Sequence, residues 1–397
     1  MLLEEYLPFN RSLRVRGLIF FFTQKNSNCI KNGKKYAIKL YIKFCLYYNI
    51  VMKFINLKEQ IEQVNNPSIV AMLQSLEVNR GRAFSLPKKL KINRLHDLNK
   101  RRSVTSSNEI EGIKISKARE EDILLNNLAP ETKEEFMLYG YNKALDNIFK
   151  VYKYQSLSES YIKDLHYFLY ESMTPEFGGK YKVEQNYIRE YDKKGNLVRT
   201  VFIPSKPDDV DRLMGELVYQ FNECLKDPEC NVLLTIFVFI LDFLCIHPFY
   251  DGNGRVSRLL TTFLLLKYGY DLDQYYSFSY VILNNVDAYY ASLEKSSIGW
   301  HQGKNNYEYF VHFMLECLKE GYKKLAYILE VNSLELFSND KVLKVVEDAK
   351  EPITKADIEE ILINLSRTTI EKALSELTVS NKIQMVQSGK YAKYYKI

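Results

Sequence analysis

Twelve consecutive residues, His247-Pro-Phe-Tyr-Asp251-Gly-Asn-Gly-Arg255-Val-Ser-Arg258, hold most of the chemistry this chain offers. His247 stands ahead of a turn with an ordinary imidazole pKa near neutrality, suited to taking a proton from an attacking hydroxyl. Asp251 supplies one hard oxygen, and one carboxylate completed by phosphate oxygens and water is how Mg2+ is usually held. Gly252, Asn253 and Gly254 fall where an apolar helix would begin, so their backbone N–H groups can approach an anion closely. Arg255 and Arg258 are three apart and project from one helical face as planar forks suited to phosphate oxygens. Val256 and Ser257, between them, belong to the same nucleotide-binding turn. Each feature alone is an ordinary turn or packed residue. A base, a hard ligand, an anion nest and two guanidinium groups within twelve residues point instead to a nucleotide phosphate site. No G-x-x-x-x-G-K-[ST] run competes for that role.

The elements around this loop must deliver it. An apolar run over 232–246 carries Asp242 and is shorter than a membrane span, so it reads as a buried core helix. A second apolar helix follows over 256–268 and stops at Gly269. Helical periodicity also marks 117–127, 133–152, 159–173 and 210–225, the last with Asp208 and Asp209 as caps. Between them, 182–189 and 197–203 are β-prone runs around Asp192-Lys-Lys-Gly-Asn196, which predicts a hairpin closed by Pro204 and Pro207. Pro87 and the basic run 88–91 read as a connecting loop. The expected fold is mainly α: a helical bundle with a β-hairpin flap and a small C-terminal domain.

Composition sets the bounds. The chain has 397 residues, 26% of them charged, which suits a globular protein of two or three domains. A net charge of +6 fits an anionic ligand without requiring nucleic acid. The six cysteines show no metal spacing and no disulfide framework, as expected of reduced thiols in the cytoplasm. The five histidines form no H-x-x-x-H pair, so zinc has little support. Residues 1–51 differ in character: apolar stretches sprinkled with lysine, and no signal-peptide pattern. They are expected to be a non-native or disordered extension, with translation starting at Met52; a membrane-surface anchor is the alternative.

The loop His247–Arg258 matches H-P-F-x-[D/E]-G-N-G-R-x-x-R at every specified position, and in this the chain resembles the Fic family. The resemblance covers about residues 60–320. It implies an all-helical core with a β-hairpin flap, and transfer of AMP from ATP to a Ser, Thr or Tyr hydroxyl of a protein. By the same resemblance His247 would be the general base and Asp251 would position Mg2+. Gly252, Asn253 and Gly254 would form the anion hole, and Arg255 and Arg258 would bind the β- and γ-phosphates. Ser107-Asn-Glu-Ile-Glu111-Gly112 resembles the family's inhibitory motif [S/T]-x-x-x-E-[G/N], in which Glu111 would pair with Arg258; a plainer reading is a capping box, Ser106 with Glu109, starting an ordinary helix, and the two are compatible because the cap would fix where Glu111 points. Gly178-Gly-Lys-Tyr181 resembles the family's G-x-Y-R, with Lys182 replacing the arginine. The flap residues Gln185, Asn186, Tyr187 and Ile188 would then align a target by strand addition. Tyr289 and Tyr290 resemble a pair beside the adenine, although a common downstream asparagine is Ser297 here.

The implied layout is a helical region with the inhibitory helix over 52–130, a catalytic core over 131–325 and a winged helix-turn-helix over 338–397. In the last, a helix over 354–361, a turn at 364–366, a helix over 367–377 and a wing over 382–396 follow in order. A second function is therefore on the table: a DNA-binding or interaction regulator that uses the core as a nucleotide sensor. Arg367, Thr368, Thr369 and Lys372 could face DNA, but Glu371 and Glu376 share their helix, while Lys390, Lys393 and Lys396 lie on the wing. Self-modification and a homodimer complete the expected partners; no membrane is among them.

Overall fold

In the computed structural model, the described residues are 12–15, 18–21, 55–85, 92–192, 194–389 and 392–397. The contacts divide the chain into residues 1–53 and 54–397. In the first unit, strands Ser12–Val15 and Leu18–Phe21 pair antiparallel. Otherwise the expected N-terminal extension lies outside the described residues, as do the basic run 88–91 and Lys390.

The second unit is built around one helix, Val232–Ile246. Asn231 caps it by accepting from the N–H groups of Leu233 and Leu234, and Leu233 through Ile246 are all buried. A helix that is apolar on every face must be surrounded. Helices Leu57–Val64, Pro207–Cys224, Asn253–Lys267 and Glu308–Ser333 surround it. Its one acid, Asp242, accepts from Trp300 Nε1 at 2.6 Å and Tyr307 Oη at 2.7 Å, which answers the need of a buried carboxylate for partners. Among the described residues no helix is long and apolar enough to cross a membrane. Helices Lys133–Val151 and Glu159–Tyr170 pack on each other close to the functional loop.

Several boundaries differ from those expected, each for a local reason. The flap strands are Ile188–Tyr191 and Leu197–Phe202, so residues 182–187 are not strand. Lys182 and Asn186 are tied to the 246–249 backbone instead, as described below. The helix expected from 210 begins at Pro207, whose missing N–H costs nothing in a first turn. Asp208 and Asp209 are therefore first-turn acids facing the positive helix end rather than caps. Ser106 and Glu109 do not start a helix: they end the helix Ile92–Ile110. Gly112, at φ +77°, terminates it; the Gly112 and Ile113 amides donate back to Glu109 and Asn108.

The C-terminal residues have their own apolar cluster, including Val342, Val345, Ile358, Ile370, Leu374 and Ile383. The order is helix Ser338–Asp348, strand Ile353–Thr354, helices Lys355–Ile361 and Arg367–Val379, then strands Ile383–Gln387 and Lys393–Lys396. The short first strand, which sequence reading missed, pairs with the last and makes the sheet three-stranded.

Candidate active site

His247 is the C-cap of the central helix, in the left-handed conformation (φ 53°, ψ 61°). Gly252, also left-handed (φ 81°), is the N-cap of helix Asn253–Lys267. Two reversals of backbone hand five residues apart fold the loop tightly between the two buried helices. Asn253 fixes its middle: its side chain accepts from the Phe249 N–H at 2.9 Å and donates to the Phe249 carbonyl at 2.7 Å. The first backbone bond of the following helix is Val256 N–H to Gly252 O. The amides ahead of Val256 thus form a helix N-terminus with its positive end toward the loop.

The His247 ring is oriented by the helix it ends. Its Nδ1 lies 3.1 Å from the Leu244 carbonyl. A carbonyl can only accept, so the neutral ring carries its proton on Nδ1 and Nε2 keeps a lone pair. Burial lowers the imidazole pKa to about 4, with the nearby Lys182 charge acting the same way. The ordinary value expected from sequence is thus corrected: the ring is neutral well below neutral pH.

The arginines do not stand open on a helix face, as their spacing had suggested. Arg255 is 2% exposed and Arg258 3%, because helix Asn253–Lys267 is itself buried. Arg255 Nη2 donates to Tyr170 Oη at 3.1 Å, and Tyr170 Oη donates to Asp251 Oδ2 at 2.7 Å. Arg258 is held from the end of helix Ile92–Ile110: Nε donates to Ser107 Oγ and Nη2 to the Ser107 carbonyl, both at 2.8 Å, and Nη2 to Glu111 Oε1 at 2.6 Å. A Cβ placed on Gly254 would overlap the Glu111 carboxylate. Glu111 therefore lies over the N-terminal turn of helix Asn253–Lys267 as well as against Arg258. Nη1 of both arginines is buried with no hydrogen-bond partner, a costly state for a charged donor and one that an anion could relieve.

Some expected contacts move. Val256 is fully buried, and the Ser257 hydroxyl donates to the Gly254 carbonyl, so neither side chain faces the loop's open side. Tyr289 is 3% exposed among Tyr290, Phe310 and Phe313, because it lies on the inner face of helix Val286–Ser297. Tyr290 is half-exposed and donates to the Ile110 carbonyl at 2.8 Å. On the flap side, Asn186 donates to Phe249 O at 3.0 Å. Lys182 donates from its amide to Pro248 O (2.8 Å) and from Nζ to Asn186 Oδ1 (2.7 Å) and Ile246 O (3.3 Å). Burial brings the Lys182 ammonium down to about 8. Gln185 turns away to Pro204 O, while Tyr187 is half-exposed and Ile188 begins the flap strand.

Residues 156–265 match the Fic/DOC family. The Fic adenylyltransferase of Nematostella vectensis is 27% identical over 210 residues, which is 50% of this chain and 45% of that protein. That of Drosophila mojavensis is 32% identical over 112 residues, 28% of this chain and 19% of that protein. The chain thus spans less than half the length of these relatives. A Fic family protein from Desulfovibrio desulfuricans superposes with TM-score 0.52 at 19% identity, over 84% of this chain and 96% of its own. Fic-1 from C. elegans does so with TM-score 0.53 at 18% identity, over 67% and 76%. The architecture is therefore the Fic fold, mainly helical with small antiparallel sheets. The Fic/DOC match includes the whole loop His247–Arg258 and leaves Ser107 and Glu111 outside it.

Within the Fic/DOC match, two positioning residues had escaped notice. His166 stacks on Phe249 (centroids 3.9 Å apart, planes at 6°). Its Nδ1 accepts from the Gly179 amide at 2.9 Å, so the proton is on Nε2, which donates to the Asp251 carbonyl at 3.1 Å. Tyr170, one helical turn on, holds Asp251 and Arg255. Neither belongs to a local motif; an imidazole and a phenol four apart on a helix are common in cores. Burial lowers the His166 pKa to about 4. Above pH 6.5 the ring is neutral folded or unfolded, so it adds no pH dependence. As pH falls from 6.5 toward 4, the unfolded chain takes up a proton that the folded site refuses, and stability drops. The shift corresponds to a loss on the order of 3 kcal/mol. His166→Gln should flatten the fall of the thermal midpoint between pH 6.5 and 4. An unchanged slope would assign the acid sensitivity to other groups.

The flap is pinned sideways. Arg199 meets Glu190 on the partner strand (2.7 Å) and, bidentately, Glu294 on helix Val286–Ser297 (2.5 and 3.0 Å). These groups are half-exposed, so Arg199→Ala should change global stability little. It should nevertheless speed amide hydrogen exchange over 188–202. Unchanged exchange there would mean that strand pairing alone holds the flap.

Proposed function

We propose that this chain transfers AMP from ATP to a Ser, Thr or Tyr hydroxyl of a protein, itself included, and that Glu111 restrains the reaction through Arg258. The observation that carries this is the neutral His247 ring with its Nε2 lone pair free, five residues from a helix N-terminus backed by two buried arginines with unpartnered Nη1 groups. The acceptor oxygen attacks the α-phosphorus, its proton passes to Nε2, and the bond to the pyrophosphate oxygen breaks. The amides of Gly252 to Gly254 and the two guanidinium groups take up phosphate charge. The adenine would lie on the side of Tyr290.

Asp251 fits a magnesium ion of the substrate-completed kind. Its carboxylate side chain is 58% exposed with Oδ2 steadied by Tyr170. Among the described residues no three acidic, His or Cys groups form a protein-only metal cluster; on this reading nucleotide phosphates and water would supply the remaining ligands. When bound, Mg2+ would neutralise charge on the α- and β-phosphates. Gly112 serves by ending the inhibitory helix directly after Glu111, and Ser107 by fixing Arg258.

The layout proposed with this function is an inhibitory region over 52–130, a core over 131–325 and a winged helix-turn-helix over 338–397, in a cytoplasmic protein. The competing reading, a DNA-binding regulator, is weakened by internal ion pairs. Arg367 meets Glu371 and Glu359, Lys355 meets Glu371, and Lys372 meets Glu376. The deciding experiment incubates extracts of the native cell with labelled ATP and the Glu111→Gly variant, then maps AMP adducts by mass spectrometry. Absence of both ATP binding and any adduct would end the enzymatic reading.

A further inference from the structure

The helix Ile92–Ile110 is seated differently from the core helices. Its buried side chains are Leu95, Val104 and Ile110 but also Asn99, Ser103, Ser106, Ser107 and Asn108. The seat therefore includes a polar share: Asn99 Nδ2 to the Asp273 carbonyl at 2.5 Å, Ser103 Oγ to Ser277 Oγ at 2.8 Å, and His96 Nδ1 with the Gln274 carbonyl at 3.1 Å. The Oδ1 atoms of Asn99 and Asn108 are buried without a hydrogen-bond partner. A polar interface left partly unsatisfied holds less firmly than an apolar one, and opens more readily.

An external grip on this helix comes from the C-terminal module. Glu360, on helix Lys355–Ile361, accepts from Arg102 Nη1 at 2.9 Å, from Tyr276 Oη at 3.3 Å and, through its other oxygen, from Tyr280 Oη at 3.5 Å. The Arg102 guanidinium also lies over the Tyr280 ring, 4.6 Å from its centroid. The charged pair is mostly buried, 29% and 18% exposed, so losing one partner leaves the other poorly solvated. Tyr276 and Tyr280 flank Ser277, which receives the Ser103 bond. One carboxylate thus joins the C-terminal module, the inhibitory helix and the segment on which that helix rests. Arg102 precedes Ser107 by less than one and a half turns of the same helix, so what displaces Arg102 displaces the residues on Arg258.

We propose that the C-terminal module is a brake on the site: through Glu360 and Arg102 it keeps the inhibitory helix seated, and drawing helix Lys355–Ile361 away releases Glu111 from Arg258. This rests on the transferase reading above. The test uses full-length protein and two readouts, AMP self-labelling and amide hydrogen exchange over 95–111. Glu360→Ala should raise labelling at least about 5-fold, the lower end of ordinary regulatory coupling, and speed exchange. In the Glu111→Gly background it should add no further labelling, since both changes release the same contact. Glu360→Gln, which keeps the side-chain shape, substitutes if the alanine variant folds poorly. Unchanged exchange over 95–111 overturns the brake whatever the labelling does. An equal fold-rise with and without Glu111 overturns it too, by placing the effect elsewhere. If exchange rises as expected but neither Glu111→Gly nor Glu360→Ala transfers AMP, the transferase reading fails while the mechanical coupling stands.

Discussion

His247→Ala is expected to lower AMP transfer by about 10²- to 10⁴-fold, the usual contribution of a positioned general base, with ATP affinity near that of the parent protein. The split follows from what the ring touches. Its Nδ1 is engaged with Leu244, and the anion-facing groups belong to the next helix and to two arginines whose contacts do not include it. Alanine also has a Cβ, so it meets the same left-handed backbone penalty as histidine, and the loop has no new freedom to relax. Adduct formation under single-turnover conditions and a nucleotide titration measure the two quantities separately. Transfer within a few-fold of normal would remove His247 from the chemistry. Parallel loss of binding would make it a loop support instead. Because the ring deprotonates at about 4, the proposed base would be in its active form down to moderately acid pH. The acidic limb of the rate profile should therefore fall well below 6.5, measured in the Glu111→Gly background.

Glu111→Gly is expected to increase transfer by about 5- to 150-fold, corresponding to a coupling of about 1–3 kcal/mol. One carboxylate both neutralises Arg258, at 2.6 Å, and covers the helix turn at Gly254. Its removal frees a guanidinium and an anion nest together. The helix end should persist, since Gly112 still terminates it and Ser107 still holds Arg258 through two hydrogen bonds, but the buried guanidinium loses its counter-charge, so the nucleotide-free fold should lose stability. ATP affinity should rise with the rate, because on the proposed reading the carboxylate and the nucleotide phosphates would compete for one place. Titration of ATP against both proteins reads that competition directly. Equal affinities would show that Glu111 and the nucleotide do not exclude each other.

The mainly helical architecture was legible because its signals are local. The 232–246 run is apolar on every face, and the flap has a polar turn between β-prone runs. The candidate base, the carboxylate, the glycines and the arginines were likewise legible as a group, since they occupy twelve contiguous positions whose residue types state their chemistry. Where that reading erred, tertiary packing had overridden local pattern. Lys182 and Asn186 satisfied carbonyls of the loop instead of pairing in a strand, Ser106 and Glu109 ended a helix rather than began one, and Tyr289 turned into the core. His166 and Tyr170 carried no motif, because holding a loop by its backbone needs only the right place on a neighbouring helix.

Sequence by itself determined which groups could do chemistry here, since a functional group is a property of the residue. Only the tertiary structure decided their state. It set the His247 tautomer through a helix-end carbonyl and lowered its proton affinity by burial. It also carried Glu111 across a separation of 147 residues to Arg258. Proton affinity and ion pairing depend on desolvation and on neighbours from distant segments, and those exist only once the helices have packed.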